Sequence, residues 1–221
     1  MLSALHLSLD QPGLGTLRDV SLDLCPGEIL GLSGAAGSGK RLLIQVMAGR
    51  LDAREGRVLL GDQAVDTMDP FDRMRSVGLM ERPFDYGDPD TPMDMGLAHL
   101  TVLDDPDPDI VDKALDVVGL RGHGFSTLTD LDIGQRRRAR LASLLVQTWN
   151  QDEDQLRFLL LDRPLDGLEG DQDREMREVL RAISELGWGL LVTSRQPLEG
   201  LVDRRLSLSV GRVVDPAVLG I

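Results

Sequence analysis

Cysteine is almost missing from this 221-residue chain, in which Cys25 is the single thiol. One thiol cannot close an internal disulfide, so nothing points to an oxidising compartment. Histidine is nearly as scarce. His6, His99 and His123 are scattered, no Cys/His group has zinc-site spacing, and no metal site is expected from them. No run approaches the roughly 20 apolar residues that span a bilayer. The first residues, Met1 to His6, lack a basic region followed by an apolar run. These absences lead to the expectation of a cytosolic chain whose membrane role comes through a partner. Positive charge is also short, with 24 Lys+Arg against 37 Asp+Glu and a net charge of −13. Phosphate backbones need a basic face, so a general nucleic-acid binder is excluded. A single nucleotide held in a local pocket is not.

The chain has the makings of one large domain with a sizeable core. Hydrophobic residues are 42% and charged residues 28% of it, ordinary for a globular protein. Leu5, Leu7 and Leu9 alternate with polar positions, as do Val20, Leu22 and Leu24, and both segments read as strands. Ile29 to Leu32, Val77 to Met80, Phe158 to Leu161 and Gly189 to Thr193 are short apolar runs of the kind that form buried parallel strands. Helical patterns follow Lys40 and cover Ile110 to Val118, Arg136 to Gln147 and Asp173 to Leu186. A short helix is expected around Met93 to Leu100, inside an Asp- and Pro-rich stretch from Pro83 to Pro108. Leu206 to Val214 alternates like β-structure around Gly211. Strands alternating with helices predict an α/β fold with a mostly parallel sheet.

The most informative segment is Gly34-Ala35-Ala36-Gly37-Ser38-Gly39-Lys40, between a buried strand and a helix. Glycines let the backbone curl so that successive N–H groups face phosphate oxygens, and the helix N-terminus adds its positive dipole end. Lys40 would reach the β- and γ-phosphates. A hydroxyl that ligates Mg²⁺ normally follows the lysine, but Arg41 and Leu42 come next. A guanidinium has donors only and cannot ligate a metal. The plainer alternative is a glycine turn that caps a helix and binds nothing.

Gly27-Glu28-Ile29-Leu30-Gly31-Leu32 leads into this loop, and Gly49, Gly56 and Gly61 follow it. Later come Leu131-Asp132-Ile133-Gly134-Gln135-Arg136, the run Phe158 to Asp162 with Arg163-Pro164, Asp166-Gly167-Leu168-Glu169, and Asp203-Arg204-Arg205 with Gly211-Arg212-Val213. In this order the segments resemble the ATP-binding subunits of ABC transporters over nearly the whole chain. The resemblance implies a P-loop ABC-type fold with a mostly parallel core sheet, an N-terminal antiparallel β-subdomain and a small helical subdomain. One domain over 1–221 is expected, with the helical part at 83–150. It implies ATP or ADP bound by Gly34, Ala35, Ala36, Gly37, Ser38, Gly39, Lys40, Arg41, Leu42 and Asp162, the Walker B aspartate. It also implies a membrane permease and a second ATPase subunit as partners, on the cytoplasmic side of the membrane.

The departures from the family pattern fall on its chemistry. Arg163 stands where the catalytic glutamate is expected, and Ser194 where the switch histidine is expected. Arg82 or Glu81 replaces the Q-loop glutamine, and Asp132 and Ile133 replace the signature serine and glycine. No aromatic residue lies near Gln11 or Pro12 to stack on adenine. Loss of metal ligand, base, switch and signature together reads as a degenerate subunit without confident catalytic residues or ordinary Mg²⁺ coordination. Such a subunit would pair with a competent sister, so a heterodimer is expected rather than a homodimer. Two other readings stay open: a non-transport scaffold of ABC fold, and a still-active ATPase with relocated groups. Arg41 and Arg163 also have two readings, as cations standing in for the metal or as partners of Asp162 or Glu169. The basic run Arg136-Arg137-Arg138 with Arg140 is either a face toward nucleotide across a dimer or a solvated helix face.

Overall fold

The structure is a computed structural model and describes residues 1–81, 107–124, 126–149 and 155–214. The helix expected around Met93 to Leu100, most of the Pro83 to Pro108 stretch and Arg82 lie outside the described residues.

Among the described residues, ten strands form two sheets. The N-terminal sheet is antiparallel in the order β2 (Gly15–Leu24), β1 (Leu2–Gln11), β4 (Glu55–Leu60), β5 (Gln63–Ala64). The second sheet runs β10 (Arg212–Val214), β9 (Arg204–Ser209), β3 (Ile29–Ser33), β8 (Gly189–Thr193), β7 (Phe158–Leu161), β6 (Val77–Met80). Strands β9 to β6 in that order are parallel, and β10 adds an antiparallel edge. The α/β class and the two kinds of sheet are those expected from the sequence.

Side-chain alternation explains why the parallel strands are apolar at nearly every position. On β3, β7 and β8, Ile29, Leu159, Leu161, Leu190 and Val192 enter one core, while Leu30, Leu32, Phe158, Leu160 and Leu191 enter the other. The first core is covered by α3 (Pro108–Val117), α4 (Ile133–Thr148) and α5 (Asp171–Glu185). The second is closed by α1 (Lys40–Met47) and the antiparallel sheet. The N-terminal strands are half-buried, yet their alternation breaks. Leu2, Ala4 and Leu7 are fully buried, whereas Leu5 is only partly so. The register shifts between Ala4 and Leu7, where His6 and Asp19 both take left-handed backbone conformations. Such a bulge moves the inward face by one residue.

Helix starts are set by caps that hydrophobic spacing does not show. Asp69 accepts the Phe71 amide at 2.8 Å and Pro70 begins α2 (Pro70–Ser76), a helix that apolar periodicity does not predict. Helix α4 begins at Ile133 rather than Arg136 because Asp132 and Gln135 form a capping box, with bonds of 2.9 and 3.0 Å.

The basic run on α4 is only in part a solvated face: Arg136 is exposed and Arg140 half-buried, whereas the two arginines between them turn inward. Arg137 is buried and donates to the carbonyl of Pro164 at 3.0 Å. Arg138 is buried too, donating to Val118 O and pairing with Glu175 at 2.9 Å. These side chains tie α4 to the end of α3, to the segment after β7 and to α5. A guanidinium buried this way meets neighbouring carbonyls instead of water.

Candidate functional site

Parallel strands bring their C-terminal ends to one edge. The register pairs Leu32 with Thr193, Leu161 with Val192 and Met80 with Leu161. Ser33, Ser194, Asp162 and Glu81 therefore lie together along that edge, just ahead of α1. Ligands of open α/β sheets sit outside such ends.

The glycine loop leaves β3 and enters α1 through Gly39, whose φ of 102° lies in the left-handed region. A Cβ at Gly39 would come within 2.8 Å of Thr16 O, and one at Gly34 within 2.4 Å of Leu208 O. The loop is thus wedged between β2 and β9, and only glycine fits these two places. Ala35, Ala36 and Gly37 are exposed at its tip, whereas Ser38 is buried. Lys40 is also buried, and its Nζ curls over the loop. It donates to Gly34 O at 2.6 Å, Ala35 O at 2.8 Å and Ser38 Oγ at 3.1 Å. Burial first, and then the charge of Arg163, lower the Lys40 pKa from its ordinary value, with Asp162 acting in the opposite sense. The Leu42 side chain is fully buried in the core.

Asp162 follows β7 and is 4% exposed. Its Oδ1 accepts from Thr193 Oγ1 at 2.9 Å, and its amide donates to Met80 O at 2.8 Å. The Arg163 amide donates in turn to Thr193 Oγ1 at 3.1 Å. Arg163 has a φ of 53°, a conformation that costs a non-glycine residue about 1 kcal/mol or more. That turn sends its guanidinium back along the site. Nε lies 3.8 Å from Asp162 Oδ1 and one terminal nitrogen 3.6 Å from Asp166 Oδ2. Asp166, not Glu169, is the second partner, because the turn in which the Asp166 amide donates to Arg163 O at 3.2 Å brings these two residues together. Arg195 Nε lies 3.9 Å from the same Asp166 oxygen. Arg41 Nε is 3.3 Å from Glu81 Oε1, which also accepts from Gln45 Nε2.

Ser194 is buried where the switch side chain is expected. Its amide donates to Leu32 O at 3.0 Å, and its hydroxyl donates to Gln196 O. Beside it a cleft of about 550 Å³ opens between Leu165 to Gly167 and Thr193 to Leu198. Asp132 spends its carboxylate on its own helix cap, while Ile133 projects half-exposed from the same turn. Sequence reasoning does not single out Thr193, Asp166 or Arg195 as members of this cluster. The usable signal is that all three lie at or just beyond the C-terminal ends of adjacent predicted strands.

No hydroxyl follows the loop lysine. The position after the lysine carries a guanidinium, and both Asp162 and Glu81 already face an arginine. Among the described residues no group of three or more His, Cys, Asp or Glu could hold a metal ion.

A glycine loop wrapped on a buried lysine, with a buried aspartate at the end of the next strand but one, places this chain in the class of P-loop α/β domains. The family model for ABC transporters matches residues 17–165, and the chain belongs to that family. The hemin import ATP-binding protein HmuV of Bordetella bronchiseptica is 35% identical over 199 residues, covering 86% of this chain and 75% of its own. The Fe(3+) ions import ATP-binding protein FbpC of Streptomyces avermitilis is 31% identical, over 91% of this chain and 57% of its own. A bacterial ABC transporter cassette solved as a dimer superposes with a TM-score of 0.77 at 18% identity, covering 96% of each chain. That last likeness concerns the fold. No helix among the described residues is long and apolar enough to cross a membrane.

Proposed function

We propose that this chain is the ATP-binding subunit of an ABC import system, peripheral on the cytoplasmic face of the membrane, and that its own hydrolytic chemistry is impaired. It binds ATP or ADP through Gly34 to Leu42 with Asp162 behind them. It works with a permease and with a second, competent ABC subunit. The names of the relatives, importers of hemin and of ferric ions, support the import direction.

The observation that carries the impairment is the Arg163 guanidinium, within 3.8 Å of Asp162 and 3.6 Å of Asp166. The family's glutamate at this place polarises the attacking water by accepting its proton. A guanidinium has no acceptor and stays protonated. Ser194 cannot replace the switch histidine either, since its hydroxyl is turned onto Gln196 O.

Steady-state hydrolysis by the purified chain tests this. Loss of a general base lowers turnover about 10²-fold or more, so wild type is expected near background and Arg163→Glu above it. Brisk turnover by wild type, abolished by Lys40→Ala, would show that the hydrolytic groups have moved rather than vanished.

A further inference from the structure

Several arginines away from the loop meet their acids directly, although the exposed Arg121 stands 3.7 Å from Asp116. Arg138, Arg177 and Arg181 each have a carboxylate contact at 2.9, 2.6 and 2.9 Å respectively. These are the lengths of direct charge-assisted bonds. At the loop the contacts are 3.3 Å for Arg41, 3.6 and 3.8 Å for Arg163, and 3.9 Å for Arg195. Arg41 gives its Nε to Glu81, whereas the acids beside Arg163 stand farther off than a direct bond. The Nε of Arg163 is buried and has no hydrogen-bond partner. A buried donor left unbonded is costly, by about 1–3 kcal/mol, and here it belongs to a residue already in a strained backbone conformation. Burial and the charges of Arg163 and Arg195 all act to lower the Lys40 pKa, so extra positive charge does reach the loop.

We propose that the loop holds a nucleoside di- or triphosphate without a divalent metal, with Arg41 and Arg163 donating to the phosphate oxygens in the metal's place. The inference rests on the reading of Gly34 to Leu42 as a nucleotide site. Mg²⁺ brings charge to the phosphates through oxygen ligands, whereas a guanidinium brings charge together with forked donors that match phosphate geometry. Arg41 enters from the first turn of α1, directly after the loop, and Arg163 from the turn after β7, the next strand but one from β3 in the sheet. Phosphates arriving between them give both cations acceptors at direct bonding distance. Asp162 keeps its bond from Thr193 and orients Arg163 instead of a metal-bound water.

The test is calorimetric titration of the purified chain with ATP, in excess EDTA and in Mg²⁺. Tighter apparent binding in EDTA than in Mg²⁺ is expected, because Mg²⁺ complexes the phosphate oxygens that Arg41 and Arg163 would otherwise receive. In EDTA, Arg41→Ser and Arg163→Gln are each expected to weaken binding about tenfold, the scale of one charge-assisted bond. For Arg41→Ser, which restores a hydroxyl, Mg²⁺ then recovers the lost affinity. Arg41 is partly exposed, so its variant reports even if Arg163→Gln fails to fold. Binding by wild type only with Mg²⁺ would overturn the metal-free proposal and leave the nucleotide site standing. No binding in either condition would overturn both. Full affinity in EDTA for Arg41→Ser would overturn the claim that Arg41 donates to the phosphates.

Discussion

Lys40→Ala lowers the affinity of the chain for ATP about a hundredfold, the loss expected when roughly two charge-assisted bonds of about 1.5 kcal/mol are removed. The expectation comes from where the amine sits. It is held over the loop by Gly34 O, Ala35 O and Ser38 Oγ, all within the span that phosphates of a bound nucleotide would approach. Those acceptors are neutral, and a phosphate oxygen is the stronger partner. Burial and Arg163 disfavour the charged amine, so an arriving anion relieves the repulsion as well as gaining a bond. The same titration reads the outcome, with a thermal melt as the control for folding. Unchanged ATP affinity would make Lys40 a structural clasp on a loop that closes a helix start and binds nothing.

Trp188→Ala destabilises the fold by about 4 kcal/mol, the usual cost of removing a large buried aromatic side chain. Trp188 is 1% exposed and precedes β8 at the end opposite Thr193. Its indole nitrogen donates to Thr148 Oγ1 at 2.9 Å, its ring lies 5.2 Å from that of Trp149, and Arg157 stacks at 4.9 Å. One residue thus joins the end of α4 to the centre of the parallel sheet. For a domain of this length the change corresponds to a fall in Tm of roughly 10 °C. ATP affinity measured below the new Tm is expected to stay within about twofold, since phosphate contacts act locally. A drop of only a degree or two would mean that neighbouring side chains refill the space, and that this part of the core is softer than its burial indicates.

The parallel strands could be read because burial on both faces leaves a plain signature. Val77–Met80 and Gly189–Thr193 have the boundaries that their apolar runs predict. The glycine loop was legible for a related reason, since close approach to Thr16 O and Leu208 O forbids a side chain at Gly39 and Gly34. Features decided by tertiary context were harder to see. The Asp69-Pro70 cap was present in the sequence but heads a helix too short for hydrophobic periodicity to mark. Asp132 drew attention as a misplaced signature residue, and its bond to the Gln135 amide shows it serving as a cap. Arg137 and Arg138 looked like surface charge, yet their partners, Pro164 O and Val118 O, are backbone groups brought close only by folding. At the site, the identities of Lys40, Arg41, Asp162 and Arg163 could be read directly. The geometry of Arg163 could not, because its left-handed backbone and its pairing with Asp166 depend on the turn after β7.

The most direct test of the assignment is to recover this chain from gently solubilised native membranes and identify every protein that comes with it. A multi-span permease and a second ABC subunit with a glutamate after its Walker B aspartate are the expected companions. A chain that returns alone, or only with soluble partners, would contradict its assignment as a transporter subunit.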